Sequence, residues 1–221
     1  MELLVVTLAH TAPGKEADGM ARIRLLADTT RNAPGLVTAR FYHSRGHEAY
    51  YFILTTWEDR ESWNKARERH DPGQLLLGAA TEILTYAPDQ WLMQYLWGYS
   101  RPTIAPTLAA AHISTVRPDL AERIQHGWIE SLHQLATHPT MSFAFLARGM
   151  NEKSRELRPS SPTNPALTEA SPIQQGSIFL NMLSWTNEGE RDEFYADPNY
   201  QAISRILGNV GVTKILPLEP L

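Results

Sequence analysis

Two stretches of the chain share one pattern of apolar and polar positions. In each, an apolar run ends at a tryptophan, Trp57 or Trp185, and an acidic, helix-like segment follows. An Asp-Pro pair comes next in both, at Asp71-Pro72 and at Asp197-Pro198. Self-similarity of this kind marks a structural unit that occurs more than once in a chain. The pattern therefore predicts two copies of one fold.

The elements of the first repeat, residues 1–100, follow from the spacing of its apolar residues. Continuous or alternating apolar runs predict strands, and apolar positions three or four residues apart predict helices. The predicted strands are 3–9, 36–43, 50–57 and 81–85, and the predicted helices are 15–32 and a segment from Asp59 onward. This order, βαββαβ, is that of the ferredoxin-like unit.

The second repeat, residues 101–221, shows the same order. Its predicted strands are 108–116, 141–148, 177–185 and 212–216, and its helices begin at Pro118 and near Glu190. Proline is favoured in the first turn of a helix, which supports the first of these positions. The fold class predicted for the chain is α+β, with two ferredoxin-like βαββαβ repeats.

Two segments have no counterpart in the other repeat. Residues 88–106 join the repeats and carry large apolar side chains at alternate positions, which predicts a linking strand over 88–100 rather than a flexible linker: Trp91, Met93, Tyr95, Trp97 and Tyr99. The second segment is a long, proline-containing insertion at residues 150–176. A loop of this length is usually functional or disordered, so both a lid or pocket wall and a mobile insertion stay open.

Charge and composition narrow the function classes. The net charge is −4, and no basic run is present, which argues against a nucleic-acid partner. The chain has no cysteine, so disulfides, thiolate chemistry and cysteine metal ligands are excluded. We expect no membrane partner and a cytoplasmic location, because no signal-peptide pattern or bilayer-spanning apolar run is seen. Phosphate-loop, dinucleotide-binding, zinc-protease and nucleophile-elbow motifs are also missing from the sequence.

One strand of the second repeat carries the main candidate residues. Alternation places Phe179, Asn181, Leu183 and Trp185 on one face of strand 177–185. A buried amide among apolar side chains lowers the stability of the fold by roughly 1–3 kcal/mol unless it is hydrogen-bonded. Two roles are open for Asn181. Its amide forms a hydrogen bond to a neighbouring backbone group or to solvent, or it points into a pocket beside the Trp185 indole.

His112 is the second candidate, in the run Ala109-Ala110-Ala111-His112-Ile113. Its small neighbours leave room for a ligand, although a buried structural histidine fits the pattern as well. Aligning the two repeats places Thr7 at the position of His112 and Ile53 at that of Asn181. Because the second repeat holds the more reactive side chains, we expect it to be the working one, with the larger pocket at Asn181.

These features together resemble the antibiotic biosynthesis monooxygenase family of dimeric α+β barrels. Most members pair two chains of one unit, and this chain resembles a fused pair, so the resemblance implies a fused dimeric α+β barrel. The quinone-forming oxygenases of the family carry an Asn four residues before the strand-end Trp, as Asn181 precedes Trp185. They also carry a helix Tyr, which falls near Glu190 here, and an Arg, from which Arg205 is one residue out of step. The haem-degrading members pair a helix His, roughly matched by His70, with a first-strand Asn that this chain lacks.

The resemblance implies an oxygenase that acts with O2 on an aromatic polyketide or on a quinone or polyphenol intermediate, as the angucycline-type ring-opening members do. The expected catalytic residues are Asn181, Trp185 and His112, and the expected substrate-binding residues are Phe179, Leu183, Phe143 and Arg205. We expect neither a metal nor a tightly bound cofactor. Reduced flavin (FADH2 or FMNH2) from a separate reductase is compatible as a diffusible cosubstrate.

Other readings stay open from the sequence. A haem-degrading monooxygenase and a non-catalytic module that binds a hydrophobic ligand are the alternatives in function. The expected partners are a small aromatic substrate, O2 and, in the flavin branch, a flavin reductase. Both a monomeric pseudo-dimer and a homodimer agree with a fused pair of repeats.

Overall fold

A computed structural model describes residues 1–45, 49–77, 83–101, 105–136, 140–150 and 176–221. Within these ranges the strands are β1 Leu3–His10, β2 Leu36–Ser44, β3 Tyr50–Trp57, β4 Asp89–Ser100, β5 Leu108–Val116, β6 Phe143–Gly149, β7 Ser177–Trp185 and β8 Gly211–Pro220. The α-helices are α1 Glu16–Thr30, α2 Arg60–His70, α3 Pro72–Leu77, α4 Ala121–Leu135, α5 Glu188–Ala196 and α6 Pro198–Val210. A short 3-10 turn, Pro118–Leu120, precedes α4.

The first compact unit contains Met1–Tyr95 and the C-terminal Leu216–Leu221. Its strands are hydrogen-bonded in the order β4-β1-β3-β2-β8. The central strands β1 and β3 are antiparallel and buried along nearly their whole length. One face of this sheet packs against α1, where Ile23 and Leu26 meet Tyr51 and Ile53. The alternating strand residues and the apolar stripe of α1 thus form one core.

The second compact unit contains the described residues between 96 and 215. Its strand order is β8-β5-β7-β6-β4. The sheet face that carries Phe179, Leu183 and Trp185 packs with α4, α5 and α6 in a core that includes Trp128 and Phe194. The residues predicted to share one face of β7 therefore do so, and that face is buried.

The repeated Asp-Pro pairs have a structural explanation. Asp197 ends α5, and its carboxylate accepts hydrogen bonds from the backbone N–H groups of Asn199 and Tyr200, while Pro198 takes the first position of α6. Asp71 stands between α2 and α3 in the same way and accepts from the N–H of Gly73 at 2.8 Å. A capping acid followed by proline stops one helix and starts the next.

The predicted fold class is confirmed: the chain is α+β, with antiparallel strands and two ferredoxin-like repeats. One strand assignment was wrong. The fourth strand of the first repeat is β4, the aromatic segment, and Ile83 lies outside it. Residues 81 and 82 lie outside the described ranges, and Leu84 forms an isolated bridge with Thr11. The strand β4 carries aromatic side chains at alternate positions. It runs over 12 residues and pairs with β1, where buried Met93 lies opposite Leu4.

The compact units do not coincide with the repeat boundaries in the sequence. β4 passes from the first unit into the second after Tyr95, and β8 passes back into the first at Leu216. The insertion at 150–176 lies, from residue 151 to residue 175, outside the described ranges. Among the helices that the structure describes, none combines the length and the apolar character required to cross a bilayer.

Candidate active site

The pairing of β5 with β7 places His112 directly opposite Asn181. Directly opposed residues point to the same face of a sheet, with their Cβ atoms about 5 Å apart. Both side chains lie on the buried face, where His112 is 4% and Asn181 is 2% exposed. Two of the three predicted catalytic residues are therefore neighbours beneath the helices of the second unit.

Two tyrosines from consecutive helices bond the imidazole of His112. The Tyr195 hydroxyl, on α5, lies 3.1 Å from Nε2, and the Tyr200 hydroxyl, on α6, lies 3.4 Å from Nδ1. The capping bonds of Asp197 fix the turn between these helices, so this residue sets where both rings lie. Tyr195 and Tyr200 are half-buried and connect the buried imidazole to the surface.

The protonation states at this cluster follow from burial. Loss of hydration lowers the pKa of His112 to about 4, so its imidazole is neutral at pH 7. Burial raises the pKa of Tyr200 to about 12. The pKa of Tyr195 is raised still further, first by burial and then by the neighbouring Tyr200. His112, Tyr195 and Tyr200 are thus neutral, and each can donate and accept a hydrogen bond. They form one hydrogen-bonded series.

A neutral imidazole has one N–H and one nitrogen lone pair, so its hydrogen bonds to the two tyrosines have opposite directions. It accepts a hydrogen bond from one hydroxyl and donates to the oxygen of the other. The second hydroxyl then keeps its own proton available for a further acceptor. Exchange of the imidazole tautomer exchanges the roles of Tyr195 and Tyr200, which is the behaviour required of a proton relay.

Two buried polar atoms of β7 have no partner among the described residues: Oδ1 of Asn181 and Nε1 of Trp185. Each such atom costs roughly 1–3 kcal/mol when it stays unbonded. The first repeat has neither: Ile53 replaces the amide, and the Trp57 indole donates to Thr55 Oγ1 at 3.0 Å. Leu183 occupies the position of Thr55 and offers the Trp185 indole no acceptor. One acceptor and one donor on this strand are thus without a hydrogen-bond partner in the described part of the chain.

Aromatic rings pack around Trp185. The Trp185 ring lies 5.5 Å from that of Phe194 and 5.3 Å from that of Tyr195, measured between centroids. Tyr195 and Tyr200 are 5.0 Å apart. These rings pack against one another in tilted and edge-to-face arrangements, which are favourable contacts between aromatic rings.

The structure brings together some of the predicted substrate-binding residues and not others. Phe179 and Leu183 are buried on the same face as Asn181. Phe143 pairs with Ser184, which puts it on the opposite face of the sheet, with its ring 5.7 Å from that of Phe145. Arg205 lies on the exposed side of α6. The last two residues are therefore outside the site, because one strand position reverses the direction of a side chain and one helical position turns it by about 100°.

The sequence comparison missed Tyr195 and Tyr200. It directed attention to Glu190, whose carboxylate instead accepts a hydrogen bond from the backbone N–H of Thr186 at 3.0 Å. The available signal was the grouping of Phe194, Tyr195 and Tyr200 around the Asp-Pro pair, where the first repeat has Ala66, Arg67 and Gln74.

At the equivalent position of the first repeat, the polar side chains are hydrogen-bonded to one another. Gln90 Nε2 donates to Thr7 Oγ1 at 3.1 Å and to Asp71 Oδ1 at 2.6 Å. Burial raises the pKa of the Asp71 carboxyl. Thr7, the counterpart of His112, is thus satisfied within the protein.

The expectation of a larger pocket at Asn181 stays a prediction. A shallow depression beside Tyr51 in the first unit is partly open to solvent and has room for about one water molecule. The second unit fills the matching space with core side chains, among them Val116, Ile124 and Phe179.

Comparison with known proteins agrees with the resemblance seen in the sequence. The sequence model of the family described as antibiotic biosynthesis monooxygenase matches residues 3–71, which confirms the resemblance in the first repeat. No curated protein sequence matches the chain.

Solved structures share the fold over the full length. A candidate monooxygenase from Fusobacterium nucleatum subsp. nucleatum ATCC 25586 is 8% identical, with a TM-score of 0.72, over 100% of this chain and 92% of that one. An anthrone oxidase-like protein is 12% identical, with a TM-score of 0.72, over 100% and 91%. A ferredoxin-fold protein related to antibiotic biosynthesis monooxygenases, from Listeria monocytogenes 4b F2365, is 9% identical, with a TM-score of 0.53, over 100% and 96%. At these identities the likeness shows the fold alone.

Proposed function

We propose that the chain is an oxygenase that uses O2 on an aromatic polyketide, quinone or polyphenol intermediate, with its working site in the second repeat. The monooxygenase family match at residues 3–71 supports the oxygenase role. The observation that carries the site assignment is the pair of unpaired buried atoms on β7, Asn181 Oδ1 and Trp185 Nε1, beside neutral His112.

The two free atoms define what the substrate must offer. Asn181 Oδ1 accepts a hydrogen bond and so suits a phenolic or enolic O–H, whereas Trp185 Nε1 donates and so suits a carbonyl or a developing oxyanion. The rings of Trp185, Phe194 and Tyr195 add flat apolar walls. A hydroxylated aromatic ketone or quinone satisfies all of these requirements.

The chemistry needs little from the protein beyond binding and proton control. Once deprotonated, an electron-rich phenol or enol can transfer one electron to O2, and the resulting radical pair combines to a peroxide anion on the ring carbon. That anion takes up a proton, and loss of water together with the hydrogen of the same carbon leaves a quinone carbonyl, so one oxygen atom of O2 enters the product and the other leaves as water. His112, with a pKa of about 4, is a weak base by itself. It accepts a proton when an anion forms beside it, since the ion pair offsets the cost of burying each charge. Tyr195 and Tyr200 then exchange that proton with solvent.

Access to Asn181 requires movement of the tyrosines. The Tyr200–His112 contact of 3.4 Å is long for a hydrogen bond that involves a hydroxyl, so Tyr200 is held only weakly. Binding of a planar substrate against Trp185 would replace this contact with bonds of its own. Catalytic hydrogen bonds commonly tighten only when the substrate is present.

The test is O2 consumption with an anthrone, chosen because one structural neighbour is named anthrone oxidase-like. The assay is run with the protein alone and again with reduced FMN or FAD supplied by a flavin reductase. Uptake with the protein alone indicates cofactor-free oxygenation, and uptake only with the reductase indicates flavin as cosubstrate. Binding of the anthrone without O2 uptake in either assay would favour a ligand-binding module. A Soret band on titration with haemin, followed by its loss under reductant, would favour haem degradation.

A further inference from the structure

We infer that Arg191 is a positioning residue for the relay of His112, Tyr195 and Tyr200, and that its charge selects the resting tautomer of the imidazole. In that tautomer the proton lies on Nδ1. Tyr195 donates a hydrogen bond to the lone pair of Nε2, and Nδ1–H donates to the oxygen of Tyr200. The inference rests on the proposed function of this site and gives its proton relay a resting direction.

Arg191 and Tyr195 share one face of α5. They are four residues apart in the helix, a spacing that places two side chains next to each other. The Tyr195 hydroxyl in turn lies 3.1 Å from Nε2 of His112. The side chain of Arg191 is 26% exposed, so most of it is covered by protein. The guanidinium therefore stands beside the hydroxyl through which the buried imidazole is connected to the surface.

The two tyrosines at His112 differ in their charged neighbours. The pKa of Tyr195 is raised first by burial and then by Tyr200, and the charge of Arg191 acts in the opposite direction. Burial alone raises the pKa of Tyr200 to about 12, and burial alone lowers the pKa of His112. Within the described part of the chain, a cation thus acts on one hydroxyl of the pair and not on the other.

One carboxylate, that of Asp192, opposes this charge. Nε and Nη2 of Arg191 both donate to its Oδ1, at 2.9 and 2.8 Å. Asp192 raises the pKa of Tyr195, but by less than Arg191 lowers it. The Asp192 side chain is 67% exposed, so water screens the carboxylate more strongly than the guanidinium. The ion pair therefore holds the guanidinium in place, and the net effect of the two charges at the Tyr195 oxygen is that of a cation.

A cation beside a hydroxyl makes that hydroxyl the stronger hydrogen-bond donor, because the charge stabilises negative charge on the oxygen. Tyr195 therefore donates to Nε2, and the hydrogen bond at one ring nitrogen places the proton of the imidazole on the other, Nδ1. The contact at Nε2 is the shorter of the two, 3.1 Å against 3.4 Å, as expected for the stronger donor. In water the neutral side chain prefers its proton on Nε2, so the opposite tautomer requires a cause in its surroundings.

The first repeat has a tryptophan at the position of Arg191. Asp59 and Asn187 cap the matching helices α2 and α5, and Trp63 and Arg191 each follow their cap by four residues. Trp63 is 3% exposed, and its ring lies 5.1 Å from that of Trp57. Since the fold accepts a large apolar side chain at this place, packing alone does not explain the arginine.

The test reads the tautomer from the nitrogen-15 shifts of the imidazole, because a protonated ring nitrogen and a lone-pair nitrogen differ widely. A long-range proton–nitrogen correlation is recorded at pH 7.5, where His112 is neutral, on the full chain labelled with nitrogen-15 histidine. The signals of His112 are those missing from His112→Gln. Arg191→Gln removes the charge, Arg191→Lys keeps it, and Asp192→Asn removes the opposing charge. Arg205→Gln, on the exposed side of α6, is the matched control.

We expect the natural chain and Arg205→Gln to carry the proton mainly on Nδ1. In Arg191→Gln the ratio of the Nε2–H form to the Nδ1–H form should rise roughly threefold, the scale of a partly exposed charge interaction. Arg191→Lys and Asp192→Asn should keep the Nδ1–H form in excess.

A natural chain with its proton mainly on Nε2 would overturn the inference without any variant, so the test holds even if Arg191→Gln folds poorly. An unchanged ratio in Arg191→Gln would overturn the role of Arg191. None of these measurements depends on O2 uptake, so a failure of the proposed oxygenase activity is distinguishable from a failure of this inference.

Discussion

Trp57 and Trp185 end equivalent strands of the two repeats, but among the described residues only the indole N–H of Trp57 has a hydrogen-bond partner. Trp57 Nε1 donates to Thr55 Oγ1 at 3.0 Å, and Trp185 Nε1 has no partner among the described residues, because Leu183 replaces the threonine. Both tryptophans are completely buried. The first indole is thus part of a closed structural network, and the second is left with a free donor that the fold itself does not use.

This difference predicts that the same substitution has different effects in the two repeats. Trp57→Phe should lower the free energy of unfolding by roughly 2–4 kcal/mol, through lost packing and the lost indole hydrogen bond to Thr55 Oγ1, and leave turnover nearly unchanged. Trp185→Phe should lower turnover roughly ten- to a thousandfold, the scale for loss of an oxyanion donor. Urea unfolding and O2 uptake on both variants provide the comparison. Equal loss of turnover in both would mean that both repeats are active or that packing was mistaken for catalysis.

Replacement of Asn181 by leucine separates a functional amide from a structural one. Since Asn181 Oδ1 has no partner to lose, Asn181→Leu should leave the free energy of unfolding unchanged or raise it by about 1 kcal/mol. Turnover should fall roughly ten- to a thousandfold. Ile53→Leu, at the equivalent position of the first repeat, is the control and should preserve turnover. A clear loss of stability in Asn181→Leu would show that the amide holds the fold together.

Burial of His112 predicts a dependence of stability on pH. Its pKa falls from 6.5 to about 4 on folding, so between these values the unfolded chain binds more protons than the folded one. The effect of His112 on the free energy of unfolding is therefore constant above pH 6.5. Below this value the free energy of unfolding falls, by about 3 kcal/mol at pH 4. The measurement is urea unfolding between pH 4 and pH 7.5 on the natural chain and on His112→Gln.

In His112→Gln this part of the pH slope should be missing. His126→Gln changes an exposed histidine on α4 and should keep the slope of the natural chain. If His112→Gln and the natural chain lose stability in parallel between pH 6.5 and pH 4, the imidazole is not the group that titrates.

The two tyrosines at His112 should be partly interchangeable. Either hydroxyl can supply the bond that the imidazole lone pair accepts, so Tyr195→Phe and Tyr200→Phe should each lower turnover by less than roughly tenfold. The double variant should lower it by more than the product of the single effects, because no hydroxyl then connects His112 to the surface. Tyr86→Phe, a tyrosine of the first unit, is the control. Additive effects in the double variant would argue against a shared relay.

Sequence patterns were sufficient for the parts of the fold that depend on local periodicity. The ends of β3 and β7, the buried face that carries Asn181, and the helices before each Asp-Pro pair follow from apolar spacing and capping residues. The fourth strand was misplaced because Ile83 and Leu84 resemble a short strand. Its real position in β4 depends on pairing with β1, which is a contact distant in the sequence.

The site shows the same limit. The opposition of His112 and Asn181 could be predicted from the repeat alignment, since strand register follows the alternation of side chains. The partnership of Tyr195 and Tyr200 could not, because it depends on the angle at which α6 leaves Asp197.

The course of β8 bears on how the two repeats could be separated. Its last residues pair with β2 of the first unit, Leu218 opposite Ser44 and Pro220 opposite Tyr42. A polypeptide that stops at residue 100 would lack this covering segment and expose the edge of β2 to pairing with other molecules. We therefore expect the fragments 1–100 and 101–221 each to lack strand residues that belong to its compact unit. The two fragments should recover a native fold only when they are expressed together, by complementing each other's missing strand ends.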